Sequence, residues 1–306
     1  MRAAGLPAGG RVRPPAGRRV LAVRGELAAD PLRRWLRAHA LPGAERHLDG
    51  VHERVVPTGA GPVEVSVDLG TSPGCEQVVL HAPAAALDEV EGTVRRWLGL
   101  DADPAEAEAW LARDPLLAPL VAARPGLRVP RAVAGVETAV LTVLGQQVSL
   151  AAARTFGGRL VAAFGTPVSS APSSLTAFPA AAVLADAGAE AIRAATGVTG
   201  ARARTVHALA AALAGGLDLD AAAGDPERAG AARARLLALP GIGPWTADYV
   251  ALRVLGDRDA FLPGDLVLRR ALGGLSPKEA AARAEPWRPW RGHALLHLWT
   301  AAVFVP

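Results

Sequence analysis

One stretch of the sequence decides the fold: Leu239-Pro240-Gly241-Ile242-Gly243-Pro244-Trp245-Thr246-Ala247-Asp248-Tyr249. A helical pattern rich in Leu and Ala stops at Pro240, a short turn carries two glycines, and a second helix begins at Pro244. Glycines allow close approach of another chain, and free amides at a helix N-terminus bind anions. The stretch therefore predicts two helices joined by a phosphate-binding turn. A tight corner without a ligand is the alternative, which Gly-x-Gly alone would indicate more often.

Sequence patterns change from mixed to helical along the chain. Before Pro104, Val63–Leu69 alternates apolar and polar residues, as expected of a half-buried strand. Further strands are predicted at 19–23, 51–56 and 77–81, and helices at 31–40 and 84–98. After it, helical spacing recurs at 105–112, 135–146, 150–164, 180–185, 189–196, 201–214, 230–238, 244–255, 266–272, 277–284 and 291–304, with a loop at 166–179.

The fold class predicted is an α+β N-terminal domain, an antiparallel sheet with helices, followed by a mostly α core. We place the first domain at residues 18–104 and the core at 105–306. Residues 1–17 are rich in Gly, Pro and Arg and lack the apolar region of a signal peptide, so we expect a disordered leader.

Composition excludes several classes of site. The chain has 306 residues, 33 basic and 29 acidic side chains, a net charge of +4 and one Cys, Cys75. A single Cys excludes a disulfide framework, a four-Cys zinc site and an iron–sulfur cluster. Lys278 is the one lysine, so Schiff-base chemistry would have to use it. The positive charge is compatible with a polyanionic partner, and no apolar run approaches the ~18 residues of a membrane span.

A second motif follows the hairpin by about twenty residues, Phe261-Leu262-Pro263-Gly264-Asp265. Together the two motifs resemble the helix-hairpin-helix DNA glycosylase superfamily. Three further segments resemble its 3-methyladenine DNA glycosylase II family (AlkA type): Ala123–Pro130, Leu144–Ser149 and Trp287–Trp299. The resemblance implies a two-lobed core, with lobes at 135–258 and at 105–134 plus 259–306, and DNA held between them.

The resemblance implies that Asp265 is the catalytic residue. Its carboxylate would stabilise the positive charge that develops on the sugar when an N-glycosidic bond breaks, and would orient the attacking water. Asp265 could also simply cap the following helix, and the two roles are compatible. In lyase members a Lys stands in the hairpin's second helix where this chain has Trp245. The resemblance thus implies a monofunctional enzyme that leaves an abasic site.

Aromatic residues are predicted to form a pocket for the flipped-out base. Trp245 and Tyr249 are one helical turn apart, and Trp299 matches a pocket aromatic of the family. Trp35 is a further candidate wall, as is Leu266, where the family usually has an aromatic residue. Electron-rich ring faces attract an alkylated, positively charged base. The alternative is that these aromatics belong only to the core.

Four residues are predicted to contact DNA: Gly241, Gly243 and Thr246 in the hairpin, and Gln147. Gln147 stands where the family has a Leu that wedges into the duplex, although it could be only an exposed turn residue. The resemblance also implies a monovalent cation held by the backbone carbonyls of Leu237, Leu239 and Ile242. No cofactor for catalysis is expected.

The function predicted is excision of alkylated purines, of the 3-methyladenine and 7-methylguanine type, from double-stranded DNA in base excision repair. We expect a monomer in the cytoplasm, at the bacterial nucleoid during repair. One alternative is a non-catalytic lesion sensor, which would have no use for Asp265. Another is a glycosylase specific for adenine or oxidised guanine, against which Trp245 and the missing cluster cysteines argue.

Overall fold

The computed structural model of the protein describes residues 17–70, 77–169 and 174–303. The predicted leader lies outside these ranges except for Gly17, which begins the first strand. Cys75 also lies outside them. No helix in the described ranges is long and apolar enough to cross a membrane.

The N-terminal part is built on a five-stranded sheet in the order β1-β5-β4-β3-β2, with every pair antiparallel. Its strands are β1 (Gly17–Ala22), β2 (Glu45–Leu48), β3 (Val51–Val56), β4 (Val63–Asp68) and β5 (Gln77–Ala82). β2 was not predicted from the sequence. It pairs with β3 through a two-residue turn at Asp49 and Gly50, which both have positive φ, at 50° and 82°. Asp-Gly favours this hairpin turn.

Two helices accompany this sheet, α1 (Ala29–His39) and α2 (Leu87–Leu98). Val90, Val94 and Trp97 of α2 are buried at the helical spacing expected of one apolar face. α1 buries Leu32, Trp35 and Leu36 and contacts both β2 and the helical core. Trp35 is thereby carried from the sheet domain to the place where the two parts of the molecule meet.

The remainder of the chain is mostly helical, as predicted. The helices are α3 (Ala105–Leu111), α4 (Ala118–Ala122), α5 (Gly135–Leu144), α6 (Leu150–Phe164), α7 (Ala181–Thr196), α8 (Gly200–Ala214), α9 (Pro226–Leu237), α10 (Pro244–Val250), α11 (Leu266–Ala271), α12 (Pro277–Arg283) and α13 (Arg291–Val303). One continuous apolar core includes residues of both the sheet and the helices. The fold class is confirmed. The boundary at residue 104 and the two lobes stay predictions.

Several elements differ from the sequence prediction. α4 was not predicted, and the predicted loop at 166–179 contains two short paired strands, β6 (Thr166–Pro167) and β7 (Thr176–Ala177). α9 begins at Pro226 rather than Gly230, because Asp225 caps its N-terminus and proline occupies the first helical position. The break predicted within 180–196 is Gly188, whose φ of 77° interrupts α7.

The hairpin has the predicted form, with α9 and α10 joined by a turn. Gly241 has a φ of 82°, and a Cβ there would lie 2.0 Å from Oγ1 of Thr205. Gly241 is therefore required by the fold itself. α10 continues into a π-helical turn, Ala251–Leu255, so that helical backbone extends unbroken from Pro244 to Leu255.

Candidate active site

Asp265 caps α11, one of the two roles considered for it. Its Oδ1 accepts a hydrogen bond from the backbone N–H of Leu268 at 2.8 Å. A capping carboxylate at the first turn also gains from the helix dipole. The cap fixes the Asp265 side chain at the point where the loop after α10 enters α11.

Two tryptophans hold the same carboxylate from other elements. Nε1 of Trp245, in α10, donates to Oδ2 at 3.1 Å, and Nε1 of Trp299, in α13, donates to Oδ1 at 2.9 Å. Asp265 thus receives three N–H donors from three separate helices. Such an arrangement holds a carboxylate in one orientation before any ligand arrives.

Asp265 lines a cavity of about 330 Å³ together with all four predicted tryptophan and tyrosine residues, Trp35, Trp245, Tyr249 and Trp299. Trp245 stacks on Tyr249 with ring centres 5.5 Å apart. The ring centre of Trp299 lies 6.1 Å from that of Tyr249 and 6.5 Å from that of Trp35. The cavity is in the size range of small-molecule sites. The structure therefore brings the predicted carboxylate and aromatic rings to one place.

Leu266 is the exception among the predicted pocket residues. Its side chain is 62% exposed and is not part of the cavity wall, to which Val267 contributes instead. Successive residues of a helical turn point about 100° apart. With Asp265 directed into the cavity and Leu268 fully buried, Leu266 is left facing solvent. The prediction that Leu266 lines the pocket is wrong in this structure.

Charged residues that the sequence analysis missed also line the cavity. Nη1 of Arg54, in β3, lies 2.9 Å from Oε1 of Glu45 in β2, and its Nη2 lies 2.7 Å from Oε1 of Glu137 in α5. Burial raises the pKa of Glu45 to about 7. The charge of Arg54 lowers this pKa and the charge of Glu137 raises it further, but burial has the largest effect. This ion cluster joins the sheet to the helical core beside the aromatic rings. Its members lie far apart in the sequence, so no local pattern could reveal it.

Arg253 is a further missed residue of the cavity. It follows Tyr249 by four residues and Trp245 by eight, so helical spacing does place it on the aromatic face. Its guanidinium carbon lies 4.9 Å from the ring centre of Trp35 and 5.5 Å from that of Tyr249. Burial, followed by the charge of Arg253, lowers the pKa of His39 to about 3, so that His39 is a neutral ring stacked on Trp35.

The predicted DNA-contacting turn at Gln147 is tied directly to the hairpin. Nε2 of Gln146 donates to the carbonyl of Gly241 at 3.0 Å and to Oγ1 of Thr246 at 2.9 Å. Thr246 is only 3% exposed. Its hydroxyl therefore positions the Gln146 turn, and contact of Thr246 with DNA stays a prediction for its backbone amide rather than for its side chain. Gln147 itself is exposed and has a φ of 53°, a left-handed conformation unusual for a residue with a side chain.

The N-terminus of α10 has the features of an anion site. No side chain caps it, and its first residue is Pro244. A Cβ at Gly243 would meet nothing within 4 Å, and its φ of −99° suits any residue. The fold therefore does not need a glycine at 243, in contrast to Gly241. Open space above uncapped amides is what a phosphate would require.

The carbonyl cation site implied by the family resemblance falls at the end of α9 and in the turn. Leu237 is the last residue of α9, where carbonyls lack intrahelical donors. The carbonyl of Leu239 accepts the N–H of Ile242 at 3.2 Å and keeps a second lone pair. Carbonyl oxygens of this kind suit a hard monovalent cation. Within the ranges described, no group of three or more His, Cys, Asp and Glu side chains could hold a metal.

Comparisons with known proteins agree with this architecture. The model of the HhH-GPD superfamily of base excision DNA repair proteins matches residues 140–288, and that of the AlkA N-terminal domain matches residues 18–134. The chain thus has an AlkA-type N-terminal domain followed by an HhH-GPD domain.

Relatives and solved structures show the same likeness. The chain is 42% identical over 294 residues to the probable bifunctional transcriptional activator/DNA repair enzyme AlkA of Mycobacterium tuberculosis, covering 92% of this chain and 56% of the relative. It is 39% identical over 188 residues to DNA-3-methyladenine glycosylase 2 of Escherichia coli, covering 61% of this chain and 64% of that one. The chain thus spans about half the length of its mycobacterial relative. The fold matches that of a 3-methyladenine DNA glycosylase from Archaeoglobus fulgidus, with a TM-score of 0.77 and 20% identity over 93% of this chain and 98% of the other.

Proposed function

We propose that the protein is a monofunctional DNA glycosylase that hydrolyses the N-glycosidic bond of alkylated purines flipped out of duplex DNA. The observation that carries the proposal is the carboxylate of Asp265, fixed by the indoles of Trp245 and Trp299, which also wall the cavity. The names of the E. coli and A. fulgidus relatives support 3-methyladenine as one substrate.

Asp265 would act on the sugar. As the bond from C1′ to the base nitrogen breaks, positive charge develops on the sugar ring. A preoriented carboxylate stabilises that charge without having to reorganise, and can direct a water towards C1′. The two indole N–H groups prevent Asp265 from turning away, so their part is to position it.

The aromatic cavity would hold the base. Trp35, Tyr249 and Trp299 offer ring faces on which a purine can stack, and N3- or N7-alkylated purines carry a positive charge that such faces attract by ~0.5–2 kcal/mol. A base in the duplex cannot reach this cavity, so the nucleotide must rotate out of the helix. A cationic base leaves readily, and no general acid is required.

A lyase step is not expected. Trp245 stands where the resemblance places the lyase Lys, and an indole cannot form a Schiff base. Lys278 lies exposed at the capped start of α12 and takes no part in the cavity wall. The product would therefore be an intact strand with an abasic site. Borohydride trapping of a covalent protein–DNA adduct would contradict this.

DNA would be held by the hairpin and the Gln147 turn. The uncapped amides of α10 suit a backbone phosphate, with a monovalent cation bound by the carbonyls of Leu237, Leu239 and Ile242 beside it. Gln147 would enter the space left by the flipped nucleotide. We further propose that the protein works as a monomer on genomic DNA, in the cytoplasm at the nucleoid.

The decisive experiment is base release from methylated duplex DNA, with the product identified by chromatography. The wild type should release 3-methyladenine and 7-methylguanine. Asp265→Asn keeps a good helix-capping residue and should bind the same DNA but lose release by at least about 100-fold. Tight binding of lesion DNA without release by the wild type would instead indicate a lesion sensor.

A further inference from the structure

Arg253 is a buried arginine in the wall of the aromatic cavity. Its side chain is 9% exposed, and its guanidinium lies over the rings of Trp35 and Tyr249. Nη1 donates to the hydroxyl of Tyr249 at 2.7 Å, and Nε donates to the carbonyl of Pro130. Among the described residues it forms no ion pair. All of its partners are therefore neutral, and its charge is uncompensated by direct contact.

An uncompensated buried charge is costly. Arginine cannot avoid the cost by losing its proton. The backbone around it is also irregular, since Arg253 is the central residue of the π-helical turn at 251–255. Turns of this kind occur often at functional sites. Both features are explained if a positive charge is needed inside the cavity.

The guanidinium of Arg253 and the carboxylate of Asp265 contact different rings of the same aromatic wall. Asp265 is bonded to Trp245 and Trp299, whereas Arg253 contacts Trp35 and Tyr249. Trp245 in turn stacks on Tyr249. A base stacked against Trp35 or Tyr249, with its sugar at Asp265, would lie beside the guanidinium that contacts these two rings.

We propose that Arg253 is a second catalytic residue, which stabilises the base as it departs; this rests on the proposed glycosylase function. When the bond between C1′ and the base nitrogen breaks, both electrons stay on the base. Its charge falls by one, from positive to neutral for an N7-alkylated purine and from neutral to negative for an uncharged one. Water then adds to C1′ and loses a proton, which passes to Asp265 and solvent or to the departed base. A fixed cation beside the base favours this movement of charge in both cases.

The two classes of base should nevertheless respond differently to loss of Arg253. The positive charge of Arg253 repels a cationic base in the bound ground state. This repulsion disappears as the bond breaks, because the base becomes neutral. The same charge neither attracts nor repels a neutral base at first, and attracts it in the transition state. Removing the charge should therefore slow the bond-breaking step for both classes, but tighten binding only for the cationic one.

The test compares Arg253→Met, Arg253→Lys and the wild type on two duplexes. One contains a single N7-methylguanine, which is cationic, and the other a single hypoxanthine, a neutral purine. Single-turnover rate constants and dissociation constants are measured for both, with melting temperatures for each protein. Methionine has a similar length and leaves no unpaired charge, whereas lysine keeps the charge. Arg258→Met, which removes an arginine from the ring of Trp290 instead, is the matched control.

Arg253→Met should lower the rate constant about 10- to 100-fold on both duplexes. The ratio of rate constant to dissociation constant should fall at least about 10-fold for hypoxanthine and change less than about threefold for N7-methylguanine. Arg258→Met should behave as wild type. Arg253→Lys should keep the wild-type preference between the two duplexes, so a selective loss of hypoxanthine release in Arg253→Lys would overturn the proposal even if Arg253→Met fails to fold.

Equal losses of that ratio on both duplexes would also overturn it, because they would indicate that Arg253 only positions Tyr249. So would a wild type that releases N7-methylguanine but not hypoxanthine. A wild type that releases neither base would instead refute the proposed function.

Discussion

The indole of Trp299 donates a hydrogen bond from Nε1 to Oδ1 of Asp265 across 2.9 Å. The ring that walls the cavity is thus also one that orients the carboxylate. Trp245 repeats the arrangement on Oδ2 at 3.1 Å. In the proposed reaction, base recognition and sugar chemistry are therefore mechanically coupled, because a shift of either ring would move the carboxylate.

Replacing Trp299 with Phe should separate these two contributions. Phe keeps an aromatic face but removes the N–H donor to Asp265. Loss of a hydrogen bond to a charged group costs ~1.5–3 kcal/mol, which predicts base release slower by about 10- to 100-fold with little change in lesion binding. Trp287→Phe is the control, since the indole of Trp287 donates to Asp114 at 2.7 Å elsewhere in the core. That variant should lose stability but not turnover; the reverse pattern would remove Trp299 from the mechanism.

The two hairpin glycines should behave differently when each is changed to alanine. At Gly243 a Cβ meets nothing within 4 Å, so Gly243→Ala should fold normally and weaken DNA binding several-fold if a phosphate approaches there. At Gly241 a Cβ would lie 2.0 Å from Thr205 Oγ1, so Gly241→Ala should destabilise the fold by about 1–3 kcal/mol. Fluorescence anisotropy and urea unfolding measure the two effects.

Gly230→Ala supplies the matched control for this pair. Gly230 lies within α9 and has nothing within 4 Å of a Cβ. Alanine there should stabilise the helix by ~0.5–1 kcal/mol and leave DNA binding unchanged. Unaltered DNA affinity in Gly243→Ala would mean that the turn does not approach phosphate.

Gln147 should matter more for duplex DNA than for single strands. Gln147→Ala removes the side chain that would fill the space left in the duplex by the flipped nucleotide. Binding to lesion duplex should therefore weaken, while base release from a single-stranded substrate should change little. The left-handed backbone of Gln147, with φ at 53°, is strained for any residue that has a side chain, including alanine. Gln147→Gly relieves that strain and should weaken duplex binding as much as alanine does. Recovery of binding in the glycine variant would show that the side chain has no role in the duplex.

The sequence was sufficient for features that depend on local spacing. The hairpin follows from two glycines between two prolines, and the shared face of Trp245 and Tyr249 follows from a four-residue interval. The cap by Asp265 depends likewise on its place before α11. The same spacing places Arg253 on the cavity face, because it follows Tyr249 by four residues. It was not predicted there because the expected pocket was aromatic and apolar.

Features that depend on contacts between distant segments could not be predicted in this way. The cluster of Arg54 with Glu45 and Glu137 joins two strands to a helix of another part of the chain. The convergence of Trp299 and Trp245 on one carboxylate depends on how α13 packs against α11, the helix that Asp265 caps. Periodicity reports which residues share a face, but not which faces meet. The placement of Leu266 in the pocket came from the family resemblance, and in the structure this residue faces solvent.

Buried histidines should make the protein sensitive to mild acid. Burial, with the nearby charges of His293 and Arg124, lowers the pKa of His297 from 6.5 to about 4. In the unfolded chain His297 therefore binds a proton below pH 6.5, whereas in the folded state it binds one only below about pH 4. Stability must fall as pH decreases across that interval, by about 2 kcal/mol for one such histidine at pH 5.

His297→Gln tests this directly by urea unfolding at pH 7 and pH 5. Glutamine can still donate to the carbonyl of Leu120, which His297 contacts, but it takes up no proton. At pH 7 the variant should be less stable than wild type, because packing around a side chain only 1% exposed is disturbed. At pH 5 the difference should shift by about 2 kcal/mol in favour of the variant. Glu45, whose pKa is raised to about 7, makes the folded state more stable as pH falls, because the folded state binds its proton first. This contribution is the same in both proteins and cancels in the comparison. A difference in stability that stays constant between the two pH values would show that His297 is protonated equally in the folded and unfolded states.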